Sequence, residues 1–355
     1  MRILLLTAGS RGDVEPFAAL ARRARREGHD VRLAATAGPA DLAASGVDAV
    51  GLAGDFAAVA AAQGVSPWAA LRSYRSVVAP MMAAMLRSAV DVAMAHRPDV
   101  IVAHPKVLSA RLAAARLGVP YVAVELVPTL SPTREFAAAG VTTADLGAAN
   151  RLTYRLGAAA EAAFRGPLRR LRADLGLPSR GRLPGPALTA VAVSRSLLPP
   201  PPDWPETTRA VGHWHDGTGD GEADPELDAF LARGDVLYAG LGSMTAPGAQ
   251  ERGRAVVGAA RASRLRVLVV TGWGGLEVPA GTDSGDDVLV RRAVPHHLVL
   301  PRCAAAVHHG APAPCTPCCA PGSRRLSCRS SPTSPSGPGS CTGAGSPRHR
   351  WPTGT

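Results

Sequence analysis

Short aliphatic runs alternate with amphipathic stretches along the N-terminal part of the chain, and each run ends in a loop of glycine, proline or polar residues. The first run, Ile-Leu-Leu-Leu at 3–6, is typical of a strand buried on both faces of a parallel sheet. Similar runs predict strands within residues 30–35, 47–52, 98–105, 118–125 and 189–194. Because helical stretches separate these runs, the pattern predicts a doubly wound, parallel α/β sheet.

The same pattern returns in the second part of the chain. Residues 235–244 and 266–274 predict strands that end in glycine-bearing turns, and two further strands are predicted at 288–290 and within 304–310. Between the two sets lies Leu-Pro-Pro-Pro-Pro-Asp-Trp-Pro at 198–205, a stiff polyproline segment. We therefore predict a first domain over residues 1–198, a linker over 199–207 and a second domain over 208–310.

A long helix is predicted over residues 68–95, with apolar residues at helical spacing. Met81, Met82 and Met85 belong to this apolar stripe. Such a stripe is typical of a helix that faces a core. Methionine side chains also adapt to irregular apolar ligands, so a second interpretation is the wall of a binding site.

Composition and charge limit the classes of partner. Only 4% of the 355 residues are aromatic, so the cores must be built from Ala, Val and Leu. The formal net charge of +11 raises the question of nucleic acid or an acidic membrane surface. Lys106 is the only lysine, and no aromatic residues interleave with the arginines, so we expect no nucleic-acid partner. The arginines at 22, 23, 25 and 26 are interpreted as the solvated face of the first helix.

The sequence contains no recognisable secretory signal and no run of eighteen apolar residues. We therefore expect a cytoplasmic protein with at most peripheral membrane contact.

Polar side chains follow several of the predicted strands. Ser10, Arg11 and Asp13 follow the first strand, and His104 and Glu125 stand at the ends of two later strands. Ligands of parallel α/β sheets collect at the carboxyl ends of the strands, so these residues are candidates for a site. From local sequence alone, a solvated turn with an N-cap explains the first loop as well, and ordinary loop polar groups explain His104 and Glu125.

The segment Ser-Arg-Gly-Asp-Val-Glu-Pro at 10–16 resembles the N-terminal loop of GT-B glycosyltransferases that act on sterols, glycopeptides and other natural products, a UDP-glucosyltransferase-like family. The resemblance implies two Rossmann-like domains that face a cleft. It also implies that Asp13 is the general base of an inverting hexose transfer, with Ser10 and Arg11 near the diphosphate of the sugar donor. The acceptor would be a lipophilic small molecule such as a sterol, polyketide, glycopeptide or lipid.

The second half carries further family motifs. Gly-Leu-Gly-Ser at 240–243 resembles the loop whose serine contacts the donor phosphates, and Val-Pro-His-His at 294–297 resembles the loop that holds the nucleotide base. His-His-Gly at 308–310 resembles the start of the diphosphate motif. The implied donor-binding residues in this half are Gly242, Ser243, Trp273, Val294, His296, His309 and Gly310. The implied acceptor-binding residues are Met81, Met82, Met85, His104 and Glu125. A nucleotide-diphosphate sugar (UDP or dTDP) is the expected co-substrate, without a metal or another cofactor.

The resemblance stops at Gly310, and the composition changes with it. Residues 311–355 contain no Val, Ile, Phe or Met but five of the six cysteines. A zinc site is disfavoured by the loose cysteine spacing, and a disulfide framework by the expected compartment. Degenerate codons for residues 311–338, read one base earlier, permit the family's missing Gly-Ala-Gly-Thr and Asp-Gln motifs. We therefore interpret this tail as out-of-frame translation that is disordered and leaves the second domain incomplete.

Three alternatives to an active transferase remain. In the first, the chain is a catalytically inactive, truncated remnant whose first domain still binds an apolar acceptor. In the second, it is an epimerase of the same fold that needs no acceptor. A nicotinamide enzyme is disfavoured because Gly9-Ser10-Arg11-Gly12 does not supply the Gly-x-Gly-x-x-Gly turn.

Overall fold

The computed structural model describes residues 1–36, 46–54, 74–139, 141–142, 144–215, 224–242, 248–272, 274–279, 281 and 286–308. The chain divides into two compact units, Met1–Gly219 and a second unit that begins at Asp220. Within the described ranges, each unit contains one sheet, and every strand pair in both sheets is parallel. The expected α/β class with two parallel sheets is confirmed.

In the sheet of the first unit, the strand order changes direction next to the first strand of the chain. Its described strands are β1 (Arg2–Thr7), β2 (Asp30–Ala35), β3 (Ala49–Gly51), β4 (Val100–Ala103), β5 (Tyr121–Glu125), β6 (Leu188–Val191) and β7 (Thr208–Ala210). They pair in the order β3-β2-β1-β4-β5-β6-β7. Leu5 of β1 therefore pairs with Leu33 on one side and Val102 on the other. The order changes direction between β1 and β4, which is where parallel sheets form ligand sites.

Helices cover both faces of this sheet. They are α1 (Arg11–Arg26), α2 (Ala79–His96), α3 (Ala110–Leu117), α4 (Asn150–Glu161) and α5 (Arg165–Asp174). Alternate residues of β1 point to opposite faces, so Leu4 and Leu6 pack with α2, α3 and α5, while Leu5 packs with α1. All three leucines are fully buried. This double burial explains why β1 has an unbroken aliphatic sequence rather than an alternating one.

The methionines of α2 belong mainly to the core. Met85 is fully buried and Met82 is 8% exposed, both within the cluster around Leu4 and Leu6. Met81 is partly buried against the same cluster and packs beside Gly54. The interpretation of the stripe as core is therefore confirmed for Met82 and Met85. The contact of the three methionines with an acceptor stays a prediction.

The stretch Ser76–His96 is long and apolar enough, by length and composition alone, to cross a membrane. This differs from the expectation of no such stretch. Its buried face packs against β1 and α3, and 33% of the apolar window is buried inside the first unit.

Helix α1 begins at Arg11, five residues before Pro16. Ser10 is the N-cap, in an extended conformation, and Asp13 is the third residue of the helix. Pro16 is buried within the helix. The reciprocal contacts between Ser10 and Asp13 fix the start of α1. Pro16 is the sixth residue of the helix, where proline cannot donate the usual backbone hydrogen bond to the carbonyl group of Gly12.

The proline segment belongs to the first unit, which corrects the predicted domain boundary. β7 pairs in parallel with β6, so residues 208–210 extend the first sheet instead of opening a second domain. The Asp203 carboxylate accepts hydrogen bonds from Thr133 Oγ1 (2.5 Å) and from the Arg134 amide (3.0 Å), and it pairs with Arg151 (3.1 Å). These contacts attach the predicted linker 199–207 to the first unit. They join residues that are distant in the sequence, so the proline content of the segment could not predict them.

The second unit contains a smaller sheet. Its described strands are β8 (Val236–Gly240), β9 (Arg266–Val270), β10 (Val288–Arg291) and β11 (Ala305–His308), in the order β10-β9-β8-β11, with helices α6 (Pro225–Ala232), α7 (Ala249–Ala262) and α8 (His296–Val299). Every residue of β8 is buried. Tyr238 and Leu268 pack on one face of the sheet, and Val267 and Val269 on the other. This arrangement again explains the continuous aliphatic runs.

Several predictions lie outside the described residues. They are the start of the long helix at 68–73 and the tail 311–355 with its five cysteines. Among the residues that the structure does describe, no group of three or more His, Cys, Asp or Glu side chains is placed to hold a metal ion.

Candidate active site

The candidate site lies at the carboxyl ends of β1 and β4. The turn after β1 passes through Gly9 and Ser10 and places Asp13 in the first turn of α1. One oxygen of the Asp13 carboxylate, Oδ2, accepts the Ser10 amide at 2.7 Å and the Ser10 hydroxyl at 3.1 Å. Thr7 Oγ1 donates to the backbone carbonyl of Asp13 at 2.7 Å. These contacts fix the carboxylate relative to the end of the sheet.

The other carboxylate oxygen, Oδ1, faces the loop that follows β4. Lys106 Nζ donates to it at 2.9 Å, and His104 Nε2 lies 3.5 Å from it. The side chains of His104, Asp13 and Lys106 are 10%, 18% and 44% exposed. The ammonium is therefore the solvent-facing member of the group, while the carboxylate and the imidazole lie beneath it.

The backbone determines how the His104 imidazole is protonated. The Lys106 amide donates to His104 Nδ1 at 3.2 Å, so the proton of a neutral ring is on Nε2 and points toward Asp13. Burial lowers the pKa of His104 to about 4, and the charge of Lys106 adds to this effect against the opposing charge of Asp13. His104 is thus a neutral hydrogen-bond donor at physiological pH.

The electrostatics of Asp13 favour its ionised form. Burial by itself would raise the pKa of the carboxyl group, but the charge of Lys106 and the hydrogen bonds from Lys106 and Ser10 outweigh burial. The pKa of Asp13 therefore lies below its ordinary value of 3.8. An ionised, oriented and partly exposed carboxylate can accept a proton from a bound hydroxyl group.

Gly9 is required for this geometry. It has φ +134°, and a Cβ atom at this position would lie 2.2 Å from Asp13 Oδ2 and 2.7 Å from Lys106 Nζ. Both charged groups therefore rest against a backbone position that only glycine can occupy.

The structure also places the two neighbours of Asp13 that were predicted to bind the donor. Ser10 is partly buried, and its hydroxyl is engaged with Asp13. Arg11 is exposed at the first position of α1. The amino-terminal turn of α1 thus presents a cation and backbone N–H groups, the arrangement that favours anions.

Glu125 was predicted to contact the acceptor, but its carboxylate is used by the protein itself. The side chain is fully buried and accepts hydrogen bonds from the Thr129 amide (2.5 Å), the Leu130 amide (2.8 Å) and the Ser131 hydroxyl (2.6 Å). Burial raises the pKa of this carboxyl group, and the three donors oppose that rise. Glu125 therefore anchors the loop after β5, and its contact with an acceptor stays a prediction.

We expect Glu125→Gln to destabilise the protein by about 1–3 kcal/mol. The glutamine NH2 group would face the N–H and O–H donors that now bind the carboxylate, so one or more of these donors would lose its acceptor. Chemical denaturation measures the change in the free energy of unfolding, and hydrogen exchange at Thr129 and Leu130 reports the release of the loop. Glu135→Gln, at an exposed position ten residues further along the chain, is the matched control. Equal stability of the two variants would contradict the assigned role of Glu125.

In the second unit, two loops at the ends of β8 and β9 pack backbone against backbone. Gly242 and Gly272 both have positive φ values, +61° and +58°. A Cβ atom on Gly272 would lie 2.0 Å from the carbonyl oxygen of Gly242. Gly272 is therefore needed for the approach of these two loops, and Gly242 of the Gly-Leu-Gly-Ser motif lies at the contact.

The loop at 293–297 is held by the core of the second unit. Val294 is 4% exposed and packs in the core cluster with Tyr238. His296 Nε2 lies 2.8 Å from the Tyr238 hydroxyl, with the two rings edge to face. The predicted contact of this loop with a nucleotide base stays a prediction, as do the roles of Ser243, Trp273, His309 and Gly310, which lie outside the described residues.

Sequence reasoning did not select Lys106 or Gly9 as members of the site. Lys106 carried one signal that could have identified it, since it is the only lysine of the chain and stands two residues after His104. Gly9 carried a weaker signal, as a glycine immediately after a strand.

Comparisons with known proteins agree with this geometry. Residues 3–136, which contain β1, α1 and the loop after β4, match the glycosyltransferase family 28 N-terminal domain. The chain is 32% identical to glycosyltransferase GtfE of Amycolatopsis orientalis over 325 residues, which cover 87% of this chain and 76% of that protein. It is 27% identical over 340 residues to a sterol 3-beta-glucosyltransferase of Candida albicans, covering 87% of this chain and 22% of that protein.

A solved structure with a similar fold is SsfS6, a glycosyltransferase of Streptomyces sp. SF2575 complexed with thymidine diphosphate. The TM-score is 0.56 at 18% sequence identity, and the match covers 93% of this chain and 82% of SsfS6. The chain is a transferase and belongs to the GT-B glycosyltransferases, in the branch that includes GtfE and the sterol glucosyltransferases.

Proposed function

We propose that this protein transfers a hexose from a UDP- or dTDP-sugar to a hydroxyl group of a lipophilic small molecule, with inversion at the anomeric carbon. The observation that carries the proposal is the Asp13 carboxylate at the end of β1. It is oriented through Oδ2 by Ser10, ionised at neutral pH and 18% exposed, and its Oδ1 faces the Lys106 ammonium and the His104 imidazole.

In the proposed reaction, Asp13 Oδ1 accepts the proton of the acceptor hydroxyl as the hydroxyl oxygen attacks the anomeric carbon. The bond between that carbon and the diphosphate breaks at the same time, so the configuration inverts. The leaving diphosphate gains negative charge, and Arg11 and the N–H groups at the start of α1 are the described groups suited to stabilise it. The family resemblance assigns this role to Ser10 as well, although its hydroxyl donates to Asp13 in this structure. We assign the same role to Ser243 and His309 from the family motifs. Since side chains and helix N–H groups supply both functions, the proposal includes no metal or other cofactor.

The acceptor class rests on the relatives. The Candida albicans relative bears the name of a sterol glucosyltransferase, and its match covers 87% of this chain. The thymidine diphosphate complex of SsfS6 supports a nucleotide-diphosphate donor. We further propose that the protein acts in the cytoplasm.

The test is a transfer assay with UDP-glucose and dTDP-glucose against ergosterol, a macrolide aglycone and a glycopeptide aglycone. Mass spectrometry identifies a glycosylated product, and NMR of its anomeric proton gives the configuration. A β-linked glucoside from the α-linked donor is expected. Donor turnover that requires no acceptor would instead indicate an epimerase or a hydrolase.

A second candidate function is suggested by the end of the family resemblance at Gly310. In this alternative the chain is an inactive remnant whose first unit still binds an apolar acceptor. It predicts no donor turnover together with saturable binding of one acceptor of the panel, measured by equilibrium dialysis.

A further inference from the structure

Lys106 stands apart from the other basic side chains of this protein. The chain has 39 lysine and arginine residues in total, and Lys106 is the only lysine among them. It is also the cation that contacts the proposed base. A compact ammonium group, which arginine does not provide, is therefore found at one position of the sequence and at the centre of the candidate site.

The site accommodates a compact cation closely. Lys106 Nζ is 2.9 Å from Asp13 Oδ1 and 2.7 Å from the place where a Cβ of residue 9 would stand, so it rests on the bare backbone of Gly9. A planar guanidinium is broader than an ammonium group and directs its donors as a fork. This position therefore suits lysine better than arginine.

The two oxygens of the Asp13 carboxylate have different partners. Oδ2 is held by the amide and hydroxyl of Ser10, at the start of the same helix. Oδ1 is shared by Lys106 and His104. Oδ1 is consequently the oxygen that is available to a substrate, provided that one of its two partners leaves.

Lys106 is the partner that can leave. The His104 ring is 10% exposed, receives the Lys106 amide at Nδ1, and has the buried Phe17 ring against it, with 6.3 Å between the ring centroids. The Lys106 side chain is 44% exposed and ends a flexible four-carbon stem. Displacement of the ammonium therefore leaves the carboxylate and the imidazole in place.

We propose that Lys106 is a displaceable counter-ion, which occupies the position of the acceptor hydroxyl on Asp13 Oδ1 in the resting enzyme and yields it when the acceptor binds. This inference rests on the proposed role of Asp13 as the base. It makes Lys106 a positioning residue that lowers both the proton affinity of Asp13 and the apparent affinity for the acceptor. Among the described residues, the titratable or charged groups that face this carboxylate are Lys106 and His104 from the loop after β4, with Arg11 beside it on α1. The end of β2 contributes the neutral Thr36, which accepts the Gly9 amide.

The first test measures the proton affinity of Asp13 directly and does not depend on turnover. NMR of carboxyl-labelled aspartate follows the titration of Asp13, with the resonance assigned by its loss in Asp13→Asn. We expect Lys106→Met to raise the pKa of Asp13 by about one unit, the lower end of the effect of an adjacent opposite charge, because the pair is partly exposed. Arg111→Met removes a cation from the exposed side of α3 and is the matched control, with no shift expected. An unchanged pKa in Lys106→Met would overturn the inference.

The second test measures the consequence for the reaction, with the acceptor that the transfer assay identifies. Lys106→Met should lower the KM for the acceptor about threefold or more, because no cation then competes for Oδ1, while the KM for the donor is unchanged. The acid limb of the pH profile of kcat/KM should move to higher pH together with the pKa of Asp13. Lys106→Arg keeps a positive charge near Asp13, although its broader guanidinium fits this position less well, so it should move the acid limb less than Lys106→Met does.

Separate outcomes distinguish the two proposals. If Asp13→Asn keeps full transfer activity, the base assignment is wrong whatever Lys106 does. If Asp13→Asn is inactive but Lys106→Met raises the acceptor KM, the counter-ion proposal alone is wrong. If the chain shows no turnover, the NMR titration still decides whether Lys106 controls the proton affinity of Asp13.

Discussion

Asp13→Asn should reduce the rate of glycosyl transfer by about 10²–10⁴-fold, the contribution typical of a positioned general base. The asparagine amide can still lie against Ser10, but it cannot accept a proton from the acceptor. The effect should fall on kcat and kcat/KM together, with little change in donor affinity. Steady-state kinetics with the acceptor identified in the transfer assay measure these parameters.

The pH dependence gives a second check on the same residue. Because the pKa of Asp13 lies below 3.8, kcat/KM of the wild type should stay high as the pH falls toward about 4 and decline only below it. The stability of the fold depends on pH in the same direction. Since the folded-state pKa is depressed, ionised Asp13 stabilises the fold above its unfolded value of 3.8, and this contribution is lost as the pH falls through the folded-state pKa.

Glu15→Gln is the matched control for Asp13→Asn. Glu15 lies two residues further along α1 and pairs with Arg22 at 2.8 Å, away from Oδ1 of Asp13. The Glu15→Gln variant removes one negative charge from the same helix, as Asp13→Asn does, and should keep transfer activity. Comparable losses in both variants would show that the effect comes from damage to the helix and would refute the assignment of Asp13 as base.

Gly9→Ala should abolish most of the transfer activity and destabilise the fold. A methyl group would lie 2.2 Å from Asp13 Oδ2 and 2.7 Å from Lys106 Nζ, and the φ value of +134° is unfavourable for any side chain. The carboxylate would have to leave its contacts with Ser10, so the base loses its orientation. We expect a loss of activity of about 10²-fold or more from misplacement, and of stability of about 1–3 kcal/mol from backbone strain. Kinetics and urea unfolding measure the two effects.

Gly12→Ala provides the comparison for Gly9→Ala. Gly12 lies in the first turn of α1, and an added Cβ would meet only Ser10 Oγ at 3.8 Å, an ordinary contact. Alanine also favours the helix over glycine. This variant should be as stable as the wild type and active, so similar losses in both glycine variants would argue against the specific role of Gly9.

The Asp13 carboxylate links the start of a helix to the chemistry of the site. Oδ2 completes the reciprocal cap of α1 with Ser10, and Oδ1 projects toward the loop after β4. A residue that begins a helix is held more rigidly than one on an open loop, which suits a catalytic base. For this reason Asp13→Asn must be accompanied by a measurement of its unfolding free energy, so that lost capping is separated from lost chemistry.

The local sequence was sufficient for the parallel sheets and for the loop that carries Asp13. Unbroken aliphatic runs such as 3–6 and 236–237 indicate strands that are buried on both faces of a sheet, because a strand with one solvent-exposed face would carry polar residues at alternate positions. The Ser-Arg-Gly-Asp segment specifies its own helix cap within four residues. Patterns of this kind depend on near neighbours in the chain, so they can be read without the fold.

The tertiary structure decided which side chains meet. Asp13 and Lys106 are 93 residues apart, and they touch because β1 pairs with β4 instead of β3. Burial with three hydrogen-bond donors made Glu125 an anchor of the loop after β5. Pairing with β6 placed residues 208–210 in the first sheet, beyond the proline segment. Strand order and burial are properties of the whole folded chain, which is why local composition, periodicity and motif spacing could not supply these contacts.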